Sequence, residues 1–343
     1  DYEAEKRQLL MNYRSDQYLV DIQSHLVRTL DPDCEPGVCD PANQIGDGVC
    51  EVLLFRDDAH ERQTLCQVIS HLLSTGVPPR EICIMARVWV PEYVDELIRE
   101  LGEIGIRCRI EDDYQELLDD SLVSLILDIL HLSVEPNGQA ERYHRVLGVT
   151  LSLRMVQETD EKGALQAEED LDAFVRTLGE RLTDGAAGEE AVGAILGSIT
   201  EFLGMPAIRS HFPKHANANS LDHDLTKLRK LLSLNVQISA DWQDGLLAVE
   251  GADAIPAMTI HKSKGLEYHT VIFIGLEDSA WFGFRRAPHE ETCAFFVAFS
   301  RAKKRVLFTF CETRQGKGDQ TRQDVSSLYS LLQQAGVLVV RVE

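Results

Sequence analysis

Apolar and polar positions along the chain follow two different periods, and the switch between them divides it. Leu19, Ile22 and Leu26 recur at helical spacing, which predicts a helix within residues 1–30. The stretch 31–48, DPDCEPGVCDPANQIGDG, is rich in Pro, Gly and Asp and predicts a loop. VCEVLLF (49–55), EICIMA (81–86) and IRCRI (106–110) then read as strands. Between them one helix carries Leu65, Val68, Ile69 and Leu72 on a face. A second opens near Pro91, carries Val94, Leu97, Ile98 and Leu101, and stops at Gly102 and Gly105. Strand–helix–strand units of this length imply a parallel sheet covered by helices.

From about 116 to 250 the period is helical. Leu122, Leu125, Ile126 and Ile129 make one stripe, and Leu171, Phe174, Val175, Leu178 and Leu182 another. Val192, Ile195, Leu196, Ile199 and Leu203 make a third, and Leu221, Leu225 and Leu228 a fourth, with breaks such as TDGAAGEE (183–190) between stripes. The alternation resumes at about 255 with AMTIH (257–261) and TVIFIG (270–275). A helix near 290–303, RVLFTF (305–310), a helix with Leu328, Leu331 and Leu332, and VLVVRV (337–342) complete it. The expected fold is one α/β domain built from residues 1–115 and 251–343, interrupted by a helical insertion over 116–250. A length of 343 residues suits about two domains.

Charge changes the picture. The net charge is −22, which argues against a free-standing nucleic-acid binder. The acidity is uneven, however. Residues 1–115 and 116–250 each carry 11 Lys and Arg against 23 Asp and Glu, whereas 251–343 carries 12 against 10. No apolar run of about 18 residues and no secretory leader pattern occurs, so a cytoplasmic location without membrane insertion is expected. The eight cysteines lack metal-binding spacing, and Cys34 and Cys39 are too far apart for the usual zinc pattern; reduced thiols and no metal site are expected.

Three stretches could carry chemistry. In TIHKSKGLEYHTVIF (259–273), Lys262 and Lys264 could meet phosphate, Gly265 permits close backbone approach, and Glu267 could accept from sugar hydroxyls. Ligands of open parallel sheets collect at the carboxyl ends of strands, which is where this loop is expected. On spacing alone, a solvated loop with a turn glycine is the better reading. In FFVAFSRAKKRVLF (295–308), Phe295, Phe296 and Phe299 are expected to face the core. Arg301 follows at a helix end, with Lys303, Lys304 and Arg305 behind it. Such cations suit phosphoryl chemistry, and equally a helix C-terminus. In NYRS (12–15), Tyr13 could stack on a base and Arg14 reach a phosphate.

Together, LLMNYRSDQYLVDI, AMTIHKSKGLEYHTVIFIGLED and FFVAFSRAKKRVLF resemble motifs IV, V and VI of superfamily I helicases of the UvrD, PcrA and Rep type, in that order. The resemblance covers about 200 residues at the two ends and supplies the interruption. In that family a second RecA-like domain, a parallel sheet with helices on both faces, is split by a mainly α-helical domain between motifs IV and V. It implies roles for single residues. Tyr13 resembles the adenine-stacking tyrosine, and Arg14 and Arg301 resemble arginines that reach the γ-phosphate. Glu267, beside Gly265, resembles the ribose contact, while Thr259, His261 and Lys264 fall where motif V touches single-stranded DNA.

There are departures. Cys293 and Ala294 stand where the family often has two arginines, and Ser300 stands for a common threonine. GLEDSAWFG (275–283) departs from the usual Gly-hydrophobic-Glu-Glu-x-x-Phe-Pro; Trp281 or Phe282 could stack on a base there, or pack in the core. No G-x-x-x-x-G-K-[ST] occurs, and no strand ends in a magnesium-binding Asp-Glu pair. The resemblance therefore implies the C-terminal half of an ATP-dependent DNA helicase. The phosphate cradle and the Mg²⁺ ligands for ATP would lie in a preceding RecA-like ATPase domain, and the fragment alone would be inactive. The alternative expectation is a non-catalytic RecA-like adaptor that binds a protein partner through its acidic insertion.

Overall fold

The computed structural model describes residues 10–44, 46–135, 137, 139–183, 188–239 and 241–343. These fall into two compact units, one built from both ends of the chain, up to Asp112 and from Asp253 onward, the other from Asp113–Ala252.

The first unit opens with β1 (Met11–Asn12), α1 (Gln17–Leu30), β2 (Val38–Cys39), β3 (Val49–Asp57), α2 (Asp58–Ser74), β4 (Ile82–Ala86), α3 (Val90–Glu103) and β5 (Cys108–Ile110). The second unit holds the helices that follow: α4 (Asp112–Leu118), α5 (Ser121–Val134), α6 (Ala140–Leu153), α7 (Glu161–Thr183), α8 (Glu189–Leu203), α9 (Met205–His211), α10 (Ala218–Ser239) and α11 (Trp242–Glu250). The chain then returns with β6 (Ile255–Thr259), β7 (Tyr268–Ile274), α12 (Pro288–Phe299), β8 (Ala302–Arg314), β9 (Gly318–Asp319), α13 (Ser326–Gln334) and β10 (Leu338–Arg341).

The main sheet has the order β10-β3-β8-β7-β4-β6-β5, and every pairing along it is parallel; only β9 runs antiparallel, against β8. A parallel sheet is covered on both faces, so its central strands are continuously apolar. All five residues of β4 are buried, and so is β7 apart from His269. Two helix groups, α1 with α12 and α13, and α2 with α3, both pack on the sheet and cover its two faces. The core between them includes Leu19, Ile69, Leu97, Phe273, Phe299 and Phe308. This is the RecA-like arrangement.

Several boundaries differ from the periodicity. The predicted N-terminal helix starts only at Gln17, because Asp16 adopts an extended conformation and accepts from Tyr18 N; residues 1–9 lie outside the described residues. The predicted loop 31–48 contains β2, which pairs with β1. The helix expected to reach 303 stops at Phe299, and the following strand begins at Ala302. Lys303, Lys304 and Arg305 therefore belong to a strand, not a helix end. Part of the predicted break at 183–190, residues 184–187, also lies outside the described residues.

The helical unit has its own core of Leu122, Ile126, Leu171, Val192, Leu228 and Leu246 among others. Small residues allow its helices to cross closely. A methyl group built on Gly245 of α11 would lie 2.8 Å from Val236 Cα and 2.6 Å from its Cγ2, on α10. Gly245→Ala is therefore expected to lower stability by about 1–3 kcal/mol, measured by chemical denaturation. Gly197→Ala, which would meet nothing within 4 Å, serves as the control and is expected to lose nothing.

Candidate nucleotide and nucleic-acid site

The connection from β6 to β7 contains no helix. Residues 260–267 run from the carboxyl end of one parallel strand back to the amino end of another, with β4 lying between the two in the sheet. The stretch read as one loop is thus spread over both edges of the sheet. Thr259 ends β6 opposite Ala86, at the carboxyl edge. Glu267 stands immediately before β7, at the amino edge, not at the carboxyl ends where sequence reasoning placed it.

At the amino edge the distant motifs meet. Tyr268 N donates to Arg301 O (2.9 Å), setting Glu267 beside the start of β8. Ser15 Oγ donates to Ala302 O (2.8 Å) and Asp16 N to Lys303 O (2.8 Å), which ties the NYRS segment to the same place. Asn12 Oδ1 accepts from the backbone N–H groups of Arg14 and Ser15, both at 2.9 Å, and so shapes the turn that presents Arg14. Arg14 Nε donates to Glu267 Oε2 (2.8 Å) and Nη1 to Ser300 O (2.8 Å).

Arg301 approaches the same residue from the other side. Its Nη2 donates to Ser300 Oγ (3.2 Å), its Nε to Val297 O (3.1 Å) and its Nη1 to Leu266 O (3.3 Å). All three acceptors are neutral, and no carboxylate lies within ion-pair distance of Arg301 among the described residues. Burial, and then the neighbouring charge of Arg14, pull its pKa below the usual arginine value, though an arginine stays charged. The hydrogen bond from Arg14 is the chief reason why the Glu267 carboxyl is held below the usual glutamate range, and Lys303 Nζ, 3.5 Å away, adds to it.

Tyr13 is exposed next to this cluster. A cavity of about 720 Å³ opens there, lined by Tyr13, Arg14, Val20, Gln23, Glu267 and Phe296 among others. That volume is within the usual range for a small-molecule site. Phe296, expected in the core with Phe295 and Phe299, is only half buried and forms part of the wall. Arg301 is not in that wall. Gly265 has φ +85°, and nothing lies within 4 Å of a Cβ built on it, so the turn demands glycine by its backbone alone. His261 and Lys264 are exposed and Thr259 is half buried.

Sequence reasoning missed other partners at both edges. Lys303 bridges Glu81 (3.1 Å) and Glu267, and Lys304 bridges Asp16 (3.2 Å) and Asp47 (2.5 Å). At the carboxyl edge the GLEDSAWFG loop is mostly structural. Glu277 is buried against Arg314, and Asp278 accepts from Thr321, Gln323, Asp324 and Val325. Trp281, 1% exposed, packs on Phe273 and Phe295, which rules it out as a surface stacking residue. Phe282 is exposed. Cys293 and Ala294 are half-buried on α12.

Among the described residues one His–carboxylate group has metal-like spacing, Asp120, His215 and Asp224 in the helical unit. The Lys214 ammonium lies 3.0 Å from Asp120 and 2.8 Å from Asp224, so a cation is already built in. None of the eight cysteines forms a disulfide. No single described helix is long and apolar enough to cross a membrane.

In this RecA-like unit, arginines and an acid from three distant stretches of the chain are gathered at one edge of the sheet. Residues 198–313 match the family described as UvrD-like helicase C-terminal domain. This chain carries a helicase C-terminal domain homologous to those of the Rep and UvrD-type DNA helicases. ATP-dependent DNA helicase Rep of Salmonella typhimurium is 30% identical over 118 residues, 32% of this chain and 16% of that protein. Rep of Escherichia coli is 34% identical over 87 residues, 22% and 12% respectively. DNA helicase II of Escherichia coli is 28% identical over 129 residues, 36% and 17%. The matched segments thus span less than a fifth of these relatives' own lengths. The family match includes Thr259, His261, Lys264, Gly265, Glu267 and Arg301; Tyr13 and Arg14 precede it.

Proposed function

We propose that this chain forms one wall of the nucleotide cleft of an ATP-dependent DNA helicase. Tyr13 stacks on the base, and Glu267 accepts from the ribose beside the Gly265 turn. Arg14 and Arg301 bind the γ-phosphate end. Thr259, His261 and Lys264 touch single-stranded DNA. The observation that carries the reading is the meeting of Arg14, Glu267 and Arg301 around Ser300, with Tyr13 beside a cavity of nucleotide size.

The residues suit a polyphosphate. Arg301 has neutral acceptors for its protein bonds and retains a net positive charge for an anion. ATP would supply the phosphoryl group whose hydrolysis drives the motor. The Gly-rich phosphate cradle and the Mg²⁺ ligands would come from a preceding RecA-like half, and the fragment by itself would not turn over. A closed cleft would bring both arginines to the phosphate and an open one would release them. That cycle would move the strand held by Thr259, His261 and Lys264.

In the protein carrying both halves, Tyr13→Ala is expected to raise the KM for ATP about 5- to 150-fold with little change in kcat, the effect of losing one stacked base. The check is steady-state ATP hydrolysis with saturating single-stranded DNA; an unchanged KM removes Tyr13 from the site. If the coding sequence preceding Asp1 lacks a Gly-rich phosphate loop, the adaptor reading replaces this one.

A further inference from the structure

Gln23 is a polar residue in the apolar face of a core helix. Its neighbours at helical spacing on α1, Leu19, Ile22 and Leu26, are buried, and Gln23 itself is 7% exposed. A leucine there would fill the space without the penalty of taking an amide out of water. What the amide adds is two bonds. Its Oε1 accepts from Asn12 Nδ2 (3.0 Å) and its Nε2 donates to Ser15 Oγ (3.1 Å). Gln23 thus bridges the first and last residues of the NYRS turn, with Tyr13 and Arg14 between them. It also lines the cavity beside Tyr13.

The run of bonds has one direction. Asn12 Oδ1 is taken by the backbone N–H groups of Arg14 and Ser15, which turns the Asn12 amide nitrogen towards Gln23. That sets the Gln23 carbonyl to Asn12 and its nitrogen to Ser15. The Ser15 hydrogen is committed to Ala302 O (2.8 Å), so the hydroxyl oxygen accepts from Gln23. Backbone groups therefore fix the relay at both ends, and Gln23 closes it in the middle. Ser15 is fully buried, so water does not replace a bond lost there. Asn43 Nδ2 steadies the outer side of the turn through Tyr13 O (2.9 Å). The Tyr13 side belongs to solvent, 75% exposed, so the turn and not core packing places its ring.

We propose that Gln23 is a positioning residue for the nucleotide, setting the NYRS turn so that Tyr13 meets the base and Arg14 the γ-phosphate. The stretch that resembles motif IV ends at Ile22, so the resemblance gives Gln23 no role. The inference deepens the proposed helicase function and rests on it, because the roles of Tyr13 and Arg14 come from that reading. One side chain then governs both ends of the nucleotide, and its loss affects binding and turnover together.

Steady-state ATP hydrolysis with saturating single-stranded DNA tests this in the protein that carries both halves. Gln23→Leu keeps a similar volume and loses both bonds. Its KM for ATP is expected to rise about 5- to 150-fold, the effect of leaving buried polar groups unpaired, and its kcat to fall as well, because Arg14 moves with the turn. Tyr13→Ala leaves the turn in place and shifts KM alone. Gln23→Leu added to Tyr13→Ala should therefore raise KM little further. A merely structural role would lower the denaturation midpoint and the active fraction, and would leave KM where it was. Gln23→Glu keeps the test open should Gln23→Leu fail to fold. Its carboxylate has no hydrogen for Ser15, whereas the protonated acid restores both bonds. The ratio of its KM to the parent's should thus fall towards one as pH is lowered from about 9 to about 6. A parental KM in Gln23→Leu, or a ratio of one throughout for Gln23→Glu, overturns the positioning role; if Tyr13→Ala still raises KM, the nucleotide reading stands. A parental KM in Tyr13→Ala as well overturns both.

Discussion

Arg301→Ala is expected to lower DNA-stimulated ATP hydrolysis by about 10³- to 10⁵-fold in the protein that carries both halves of the cleft. That loss corresponds to about 4–7 kcal/mol of transition-state stabilisation. Binding of single-stranded DNA should change little, since Thr259, the first of the residues proposed to touch it, ends β6 at the other edge of the sheet. The size of the effect follows from the company each arginine keeps. Arg14 is paired with a carboxylate, Glu267, at 2.8 Å. Arg301 is held only by two carbonyls and a hydroxyl, which orient the guanidinium without neutralising it. A cation fixed in place before the reaction begins is what stabilises developing negative charge.

Arg301→Lys should fare little better than Ala. Three donors on one planar group satisfy Val297, Leu266 and Ser300 together, and an ammonium cannot reproduce that fork. Because those bonds also help to join the end of α12 to the loop before β7, thermal denaturation should accompany the kinetics. A variant that remains folded with near-parental turnover would remove the arginine from the chemistry.

Much of this was legible in the chain, for identifiable reasons. The strands EICIMA and TVIFIG stand out because a parallel sheet is buried on both faces, so an apolar run needs no alternation. The end of β8 that carries Lys303, Lys304 and Arg305 was invisible to the same logic. Lys303 and Lys304 are paired across the sheet edge with Glu81, Glu267, Asp16 and Asp47, partners distant in sequence. The placing of the 259–267 loop failed for a topological reason. Eight residues can span roughly 26–29 Å when extended, enough to run the length of a short strand. Whether they do depends on β4 lying between β6 and β7, which no local pattern reveals. The left-handed backbone of Trp89 gave no signal at all, since such backbone is normally announced by glycine.

The carboxyl edge depends on a buried arginine, Arg314, and its removal is expected to be the largest stability defect in the RecA-like unit. Arg314 is buried between two buried carboxylates. Its Nε donates to Glu277 Oε1 (2.9 Å) and its Nη1 to Glu61 Oε2 (2.9 Å), while its guanidinium carbon lies 4.9 Å over the Tyr93 ring. Burial pushes the Glu277 carboxyl above the usual glutamate range, against the pull of Arg314. Arg314→Met would leave two carboxylates facing each other out of water, and the loss should be about 3–5 kcal/mol, read from urea denaturation at pH 7. The sign of the pH dependence separates this from a simple cavity. A carboxyl whose pKa is raised by folding binds protons more readily in the native state, so its neutral form adds stability as pH falls. The deficit of Arg314→Met should therefore shrink on acidification towards roughly pH 5, whereas a packing defect would not. Adding Glu61→Gln and Glu277→Gln should restore most of the stability at pH 7, because the uncompensated charges are then gone. Failure of both the acid rescue and the triple variant would mean that Arg314 acts by filling space, not by balancing charge.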